Sequence, residues 1–115
     1  MTERQKLIKK LDDLIRDIVR ERDQDCITCG TRLTPANRTA GHFIHRRHLG
    51  TRWNVSNVWG QCSDCNIQDS DERFSNALRN KCSEKLVRDL ITAGHRNNNF
   101  SISDLKNIYE KLKKT

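Results

Sequence analysis

Cys26-Ile27-Thr28-Cys29-Gly30 and Gln61-Cys62-Ser63-Asp64-Cys65-Asn66 are the two stretches on which the fold turns. Each holds a CxxC pair, and 32 residues separate the pairs. A two-residue gap lets both thiolates of a pair reach one tetrahedral ion, with a zinc–sulfur distance of about 2.3 Å. Gly30, directly after the first pair, suits the tight turn of such a knuckle. Two matched pairs in a chain without a secretory leader read as a zinc site rather than a disulfide framework, with a redox CxxC as the alternative. Cys26, Cys29, Cys62 and Cys65 are therefore the expected ligands of a structural zinc, because four thiolates leave no open coordination position. Cys82 is left over and is expected as a half-buried helix residue without chemistry.

Outward from the cysteines, 115 residues fit one domain. Hydrophobic residues make up 34% and charged residues 32%, a polar mixture for a folded chain. A metal coupled to folding would supply stability that so modest a core lacks. No apolar run approaches the roughly 20 residues of a membrane span. The opening MTERQKLIKK has no apolar core after its charges, so a cytoplasmic protein is expected.

The net charge of +7 and pI near 9.5 suit a nucleic-acid partner. Binding zinc removes four thiol protons and adds one divalent ion, so it lowers this charge by two. Between Thr31 and Gly60 lie Arg32, Arg38, Arg46, Arg47 and Arg52, three histidines, and no Asp or Glu. Guanidinium groups bind phosphate in a bidentate fork. Arg38, Arg46, Arg47 and Arg52 are the expected DNA contacts, a solvated basic loop being the alternative.

The periodicity predicts a mostly helical α+β chain. Leu7, Ile8, Leu11, Leu14, Ile15, Ile18 and Val19 make one apolar stripe on a helix over 2–24, with Thr2 and Gln5 as a capping box. The stripe is long enough to serve as core or partly as a dimer face. Extended pieces are expected over Thr39–Ile44 and Val55–Trp59. A helix is expected from Cys62 to Asn80 with Ile67, Phe74, Ala77 and Leu78 inward. Another follows over Ser83–Ala93, ended by Gly94, and a last one is capped by Ser103. As one domain over 1–115, this gives an N-terminal helix (1–25), a zinc-braced core (26–80) and C-terminal helices (83–115).

Beyond the cysteines stand Gly41-His42-Phe43, Asn57 and Asn66. The strings ERDQDCITCG, AGHF, RWNVSN and QCSDCN resemble the phage NinG/Rap recombination endonucleases. The paired CxxC motifs with Asn after the second are also similar to the Holliday-junction resolvases of the phage T4 endonuclease VII type. The resemblance runs from about Asp17 to the C-terminus. It implies a zinc-stapled His-Asn-His core of the ββα-metal (His-Me finger) class.

In such a core His42 matches the general base that deprotonates water. Asn57 matches the residue that holds the ββ loop and orients the base, and Asn66 matches a ligand of a catalytic Mg²⁺ or Mn²⁺. The implied activity is endonucleolytic hydrolysis of branched DNA by a homodimer in the cytoplasm of the phage's host. Imidazole titrates near neutral pH, so a histidine suits the base role.

One departure stands out. Where many such enzymes carry an Asp or His before the base, this chain has Gly41. A second cation ligand must come from elsewhere: Asp69, His45 or, more remotely, Asp25. Trp53 and Trp59 are expected to cover the knuckles, and Trp53 could instead stack on an unpaired base. The alternatives to a resolvase are a zinc-stabilised DNA-binding module that does not cut and a sequence-specific nuclease with the same motif.

Overall fold

Thr2 opens the first helix, α1 (Glu3–Arg22). Its Oγ1 accepts from the Gln5 amide at 3.1 Å, and Gln5 Oε1 accepts from the Thr2 amide at 2.9 Å, closing the capping box. The structure is a computed structural model and describes residues 1–68, 71–96 and 99–115. After α1 come β1 (Arg38–His42), α2 (Leu49–Arg52), β2 (Val58–Cys62), α3 (Ser63–Gln68), α4 (Asp71–Lys81), α5 (Glu84–Gly94) and α6 (Ile102–Lys113). The chain is mixed α+β and mostly helical. Among the described residues no helix is long and apolar enough to cross a membrane.

β1 and β2 form an antiparallel pair, from Arg38↔Cys62 at one end to His42↔Val58 at the other. Helices cover it. Leu7, Leu11, Ile15 and Val19 of α1 pack with Leu105 and Leu112 of α6, Trp53 and Val58. Each such side chain contributes roughly 1.5–3 kcal/mol when fully buried. α6 thus covers much of the α1 stripe within the chain and makes Leu7, Leu11, Ile15 and Val19 core. A second cluster joins Phe43 and Trp59 to Phe74, Leu78, Val87 and Leu90 of α4 and α5.

Several elements differ from expectation. The second extended piece begins three residues late, because Asn54–Asn57 form a turn: Asn57 N donates to Asn54 O, and Ser56 N to Asn54 Oδ1. Within the expected Cys62–Asn80 helix the described residues form α3 and α4, and Cys62 belongs to β2. Ile67 is 81% exposed, not inward. Cys82 is exposed rather than half-buried. Ser83, expected as the first helical residue, is the cap of α5, and α6 is capped not by Ser103 but by Ser101, which pairs with Asp104 in a capping box. Gly94 has no positive φ. Its role is close approach: a Cβ there would lie 2.8 Å from Ile44 Cγ2.

Arg22 and Asp23 tie the end of α1 to β2. Arg22 Nε and Nη2 donate to the Asp23 carboxylate at 2.7 and 2.8 Å, and Nη1 and Nη2 reach the Val55 and Val58 carbonyls. The guanidinium lies 4.2 Å over the Trp59 ring. Asp23 Oδ2 also accepts from Gly60 N at 2.8 Å. Burial alone would raise the Asp23 pKa, but the Arg22 and Gly60 hydrogen bonds and the Arg22 charge outweigh it and hold the carboxyl below its ordinary value.

Asp23→Ala should therefore cost on the order of 2–4 kcal/mol at pH 7, since it leaves Arg22 and the Gly60 amide without their acceptor. The folded value lies below the unfolded one. The carboxylate's contribution is then complete above an unfolded value of about 3.9 and is lost as pH falls through the folded value. Urea unfolding should show the gap between native and variant narrowing below about pH 4. A gap that stays constant down to pH 2 would refute this account.

Candidate metal centre and histidine site

Cys26 and Cys29 flank a turn in which Gly30 takes φ +78° and its amide donates to the Cys26 carbonyl at 2.9 Å. Cys62 ends β2 and Cys65 lies in the first turn of α3, so strand and helix each supply a sulfur. All four Sγ atoms lie within 4.8 Å of one another, and Cys29 and Cys62 are 3.7 Å apart. A tetrahedron with about 2.3 Å metal–sulfur bonds has sulfur–sulfur edges of about 3.8 Å. The four cysteines can therefore hold a metal such as zinc.

Without an ion the thiols do not ionise alike. The Thr31 hydroxyl and amide hold Cys29 down to about 6, while burial and the neighbouring thiols push Cys65 up. A divalent cation supplies the charge that four thiolates need in so small a volume. Trp53 lies in the α1–α6 cluster away from the knuckles, Trp59 in the cluster against which Ile27 of the first knuckle packs, and Leu33 packs with the cysteines. Trp53 is buried, which removes it as a stacking platform.

His42 ends β1 and is half-buried. Its Nε2 lies 2.9 Å from the Arg52 carbonyl oxygen. A carbonyl only accepts, so the neutral ring carries its proton on Nε2 and keeps a lone pair on Nδ1. Burial, then the Arg46 and Arg52 charges, lower the His42 pKa against the opposing Arg52 carbonyl and Asp12. The neutral ring is thus favoured.

The loop behind it is pinned by Asn57, which is 0% exposed. Asn57 Oδ1 accepts from Ile44 N at 2.8 Å, and Nδ2 donates to the Ile44 and Thr51 carbonyls, both at 3.1 Å. These bonds span the 13-residue separation between Ile44 and Asn57 and fix the turn that presents the Arg52 carbonyl.

The remaining expected site residues fall in different places. Asn66 is exposed on α3 and does not line the cavity around His42, whereas His45 does. Asp69 lies outside the described residues. Asp25 faces Arg32 at 3.8 Å. Arg38 is directed inward: Nη1 donates to the Arg20 and Asp23 carbonyls. Arg52, 16% exposed, is held by Asp12 through Nε and Nη2 at 3.0 and 2.7 Å. Arg46 also reaches Asp12, at 3.1 Å, from a more exposed position. Arg47 is exposed. Of the four arginines, Arg46 and Arg47 are the ones displayed outward.

Four residues escape the sequence reading. Asp12, from α1, accepts from Arg52, Arg46 and Trp53 Nε1. Burial works against its ionisation, but those hydrogen bonds and charges hold its pKa below the ordinary value. Gln61, 1% exposed, explains Gly41: a Cβ at position 41 would lie 1.9 Å from Gln61 Oε1. Asp71 and His95 line the same cavity as His42. No local pattern marks any of them, apart from an acidic residue flanking the apolar stripe at Asp12.

Cys62→Ser should abolish stoichiometric zinc binding and cooperative folding. His42→Ala should keep both, as read by metal analysis and near-UV circular dichroism. Loss of zinc from His42→Ala would make that histidine part of the metal scaffold.

Comparison with known proteins places the chain. Residues 1–115 match the family described as Bacteriophage Lambda NinG protein. Protein ninG of Escherichia phage lambda is 32% identical over 106 residues, covering 88% of this chain and 51% of the relative. Protein ninG of Escherichia phage 933W is 30% identical over 109 residues, covering 90% and 53%. The chain thus spans about half the length of the curated relatives it matches. No solved structure matches it. On the family match along its whole length and these identities, the chain belongs to the NinG family of bacteriophage proteins.

Proposed function

We propose that this chain is a metal-dependent DNA endonuclease that hydrolyses phosphodiesters in branched recombination intermediates such as Holliday junctions and D-loops. The observation that carries the reading is the setting of His42: Nε2 on the Arg52 carbonyl, in a loop pinned by Asn57, at the far end of a strand pair whose other end reaches the four-cysteine centre. That is the arrangement expected of the ββα-metal core that the motif residues resemble. The restriction to branched DNA comes from the resemblance. A homodimer belongs to the same proposal, because paired cuts call for symmetry. Its interface would lie away from the part of the α1 stripe that α6 covers.

In this reading Nδ1 of His42 takes a proton from water. The water oxygen bonds to phosphorus as the bond from phosphorus to the departing 3′-oxygen breaks. The Arg52 carbonyl holds the tautomer and stabilises the charged ring as it forms. Arg46 and Arg47, both exposed, would meet flanking phosphates.

The expected cation is Mg²⁺ or Mn²⁺, which when bound stabilises charge on the phosphate and leaving oxygens. Asn66, the ligand the motif implies, stands exposed outside the His42 cavity, and Gly41 with Gln61 across it offers no carboxylate. His45 and the Asp71 carboxylate share the His42 cavity. This donor set fits a hard cation only in company with substrate phosphates, as is usual for Mg²⁺. The Gly41–Gln61 pairing also favours a second reading, a zinc-stabilised module that binds DNA without cutting it.

Labelled four-way, flap and linear duplexes incubated with Mg²⁺, Mn²⁺ or EDTA separate the two. Cleavage should require the metal and fall about 10²–10⁴-fold in His42→Ala. The lowered His42 pKa keeps the base neutral at pH 7, so the acid limb of the rate should lie below about pH 6.5. Binding without cleavage under every metal would establish the module instead.

A further inference from the structure

All four histidines of the chain line one cavity of about 260 Å³, together with Arg47 and Asp71. They come from places far apart in sequence. His42, His45, Arg47 and His48 belong to the end of β1 and the loop after it. Asp71 starts α4, and His95 caps the end of α5. His95 reaches the cavity because Gly94 lets α5 close on Ile44, where any β-carbon would collide.

This wall is not a preformed metal cage. Among the described residues, the four cysteines are the one group of three or more Cys, His, Asp or Glu whose ligand atoms converge within 4.8 Å. It suits an anion with several acceptor oxygens. Imidazole and guanidinium N–H groups are the donors that grip phosphodiesters, and charge-assisted bonds of this kind are the strong ones. His42 Nε2 is engaged by the Arg52 carbonyl, and His45 Nδ1 accepts from Arg47 N at 3.0 Å. The cavity's donors therefore come from Arg47 and the other histidines, with His95 alone among them standing on α5.

We propose that His95, with Arg47, grips a backbone phosphate of the strand on which His42 acts, making the end of α5 part of the DNA-binding surface. The inference rests on the nuclease reading of His42 and extends it to a phosphate contact from an element outside the motif.

The test uses four-way junction DNA, with binding measured in EDTA and cleavage in Mn²⁺, for native protein, His95→Ala, His95→Gln and Arg47→Ala. Both His95→Ala and Arg47→Ala should bind about tenfold more weakly in EDTA. His95→Gln keeps a side-chain N–H and should recover most of the loss. The His95 ring proton signals of the native protein should move when junction DNA is added. Native-like binding and cleavage by His95→Ala, or an unmoved His95 signal, overturns the proposal. If the native protein never cuts but His95→Ala still weakens binding, the nuclease reading falls and the phosphate contact stands.

Discussion

Four sulfurs within 4.8 Å of one another hold one end of a two-stranded hairpin, and the other end of that hairpin carries His42. An isolated two-stranded pair is marginal in water. Here Cys62 is both the last residue of β2 and a corner of the cysteine cluster, so a metal there fixes the strand in place. The first knuckle adds Ile27 N to the Gly60 carbonyl, and Asp23 takes the Gly60 amide from the α1 side. Anchoring the Arg38↔Cys62 end decides what stands opposite at the far end, where His42 faces Val58. A one-residue slip would turn every side chain to the other face of the pair. A metal held by these cysteines would thus fix the position of the histidine from about a strand's length away.

What could be seen in the sequence was what local rules govern. CxxC spacing needs only a tight turn and a shared ion, and Thr2 and Ser83 cap their helices through bonds three residues long. His42 and Asn57 could be named because the motif keeps them at fixed separation. The features that escaped depend on distant chain. β2 starts late because the Asn54 turn takes the residues before it. Ile67 fits an inward helical period in the sequence, yet it stands 81% exposed on α3, whose buried residue is Cys65. Ser101 and Ser103 are both plausible caps by composition. Asp104 settles the choice, because it stands three residues from Ser101 and returns the bond.

The same distinction runs through the site. The carboxylate-free stretch around His42 suggested an open basic surface, yet α1 lays Asp12 across it. Arg38 and Arg52 are drawn into the protein, so net charge overstated the phosphate-facing surface. Gly41 looked like a lost ligand. It is better described as room for the Gln61 side chain, which also donates to Thr28 Oγ1 in the first knuckle at 3.0 Å. A side chain at position 41 would have to displace a buried amide that links β2 to the metal-binding turn.

Asp12 shows how far the control of His42 extends. Its carboxylate holds the Arg52 guanidinium and the Trp53 indole N–H, both largely removed from water. The same Arg52 presents its carbonyl to His42 Nε2. One residue therefore joins a helix carboxylate on its side chain to the His42 imidazole on its backbone. Without Asp12, a mostly buried guanidinium would lose its counter-charge, and such a group moves toward water rather than stay unpaired. Moving Arg52 would move its carbonyl, and with it the group that keeps the proton on Nε2 and the lone pair on Nδ1. Asn57 holds the loop from within through Thr51, and Asp12 holds it from α1 through Arg52. The His42 ring is thus oriented by two adjacent residues, Thr51 and Arg52, each anchored to a different part of the fold.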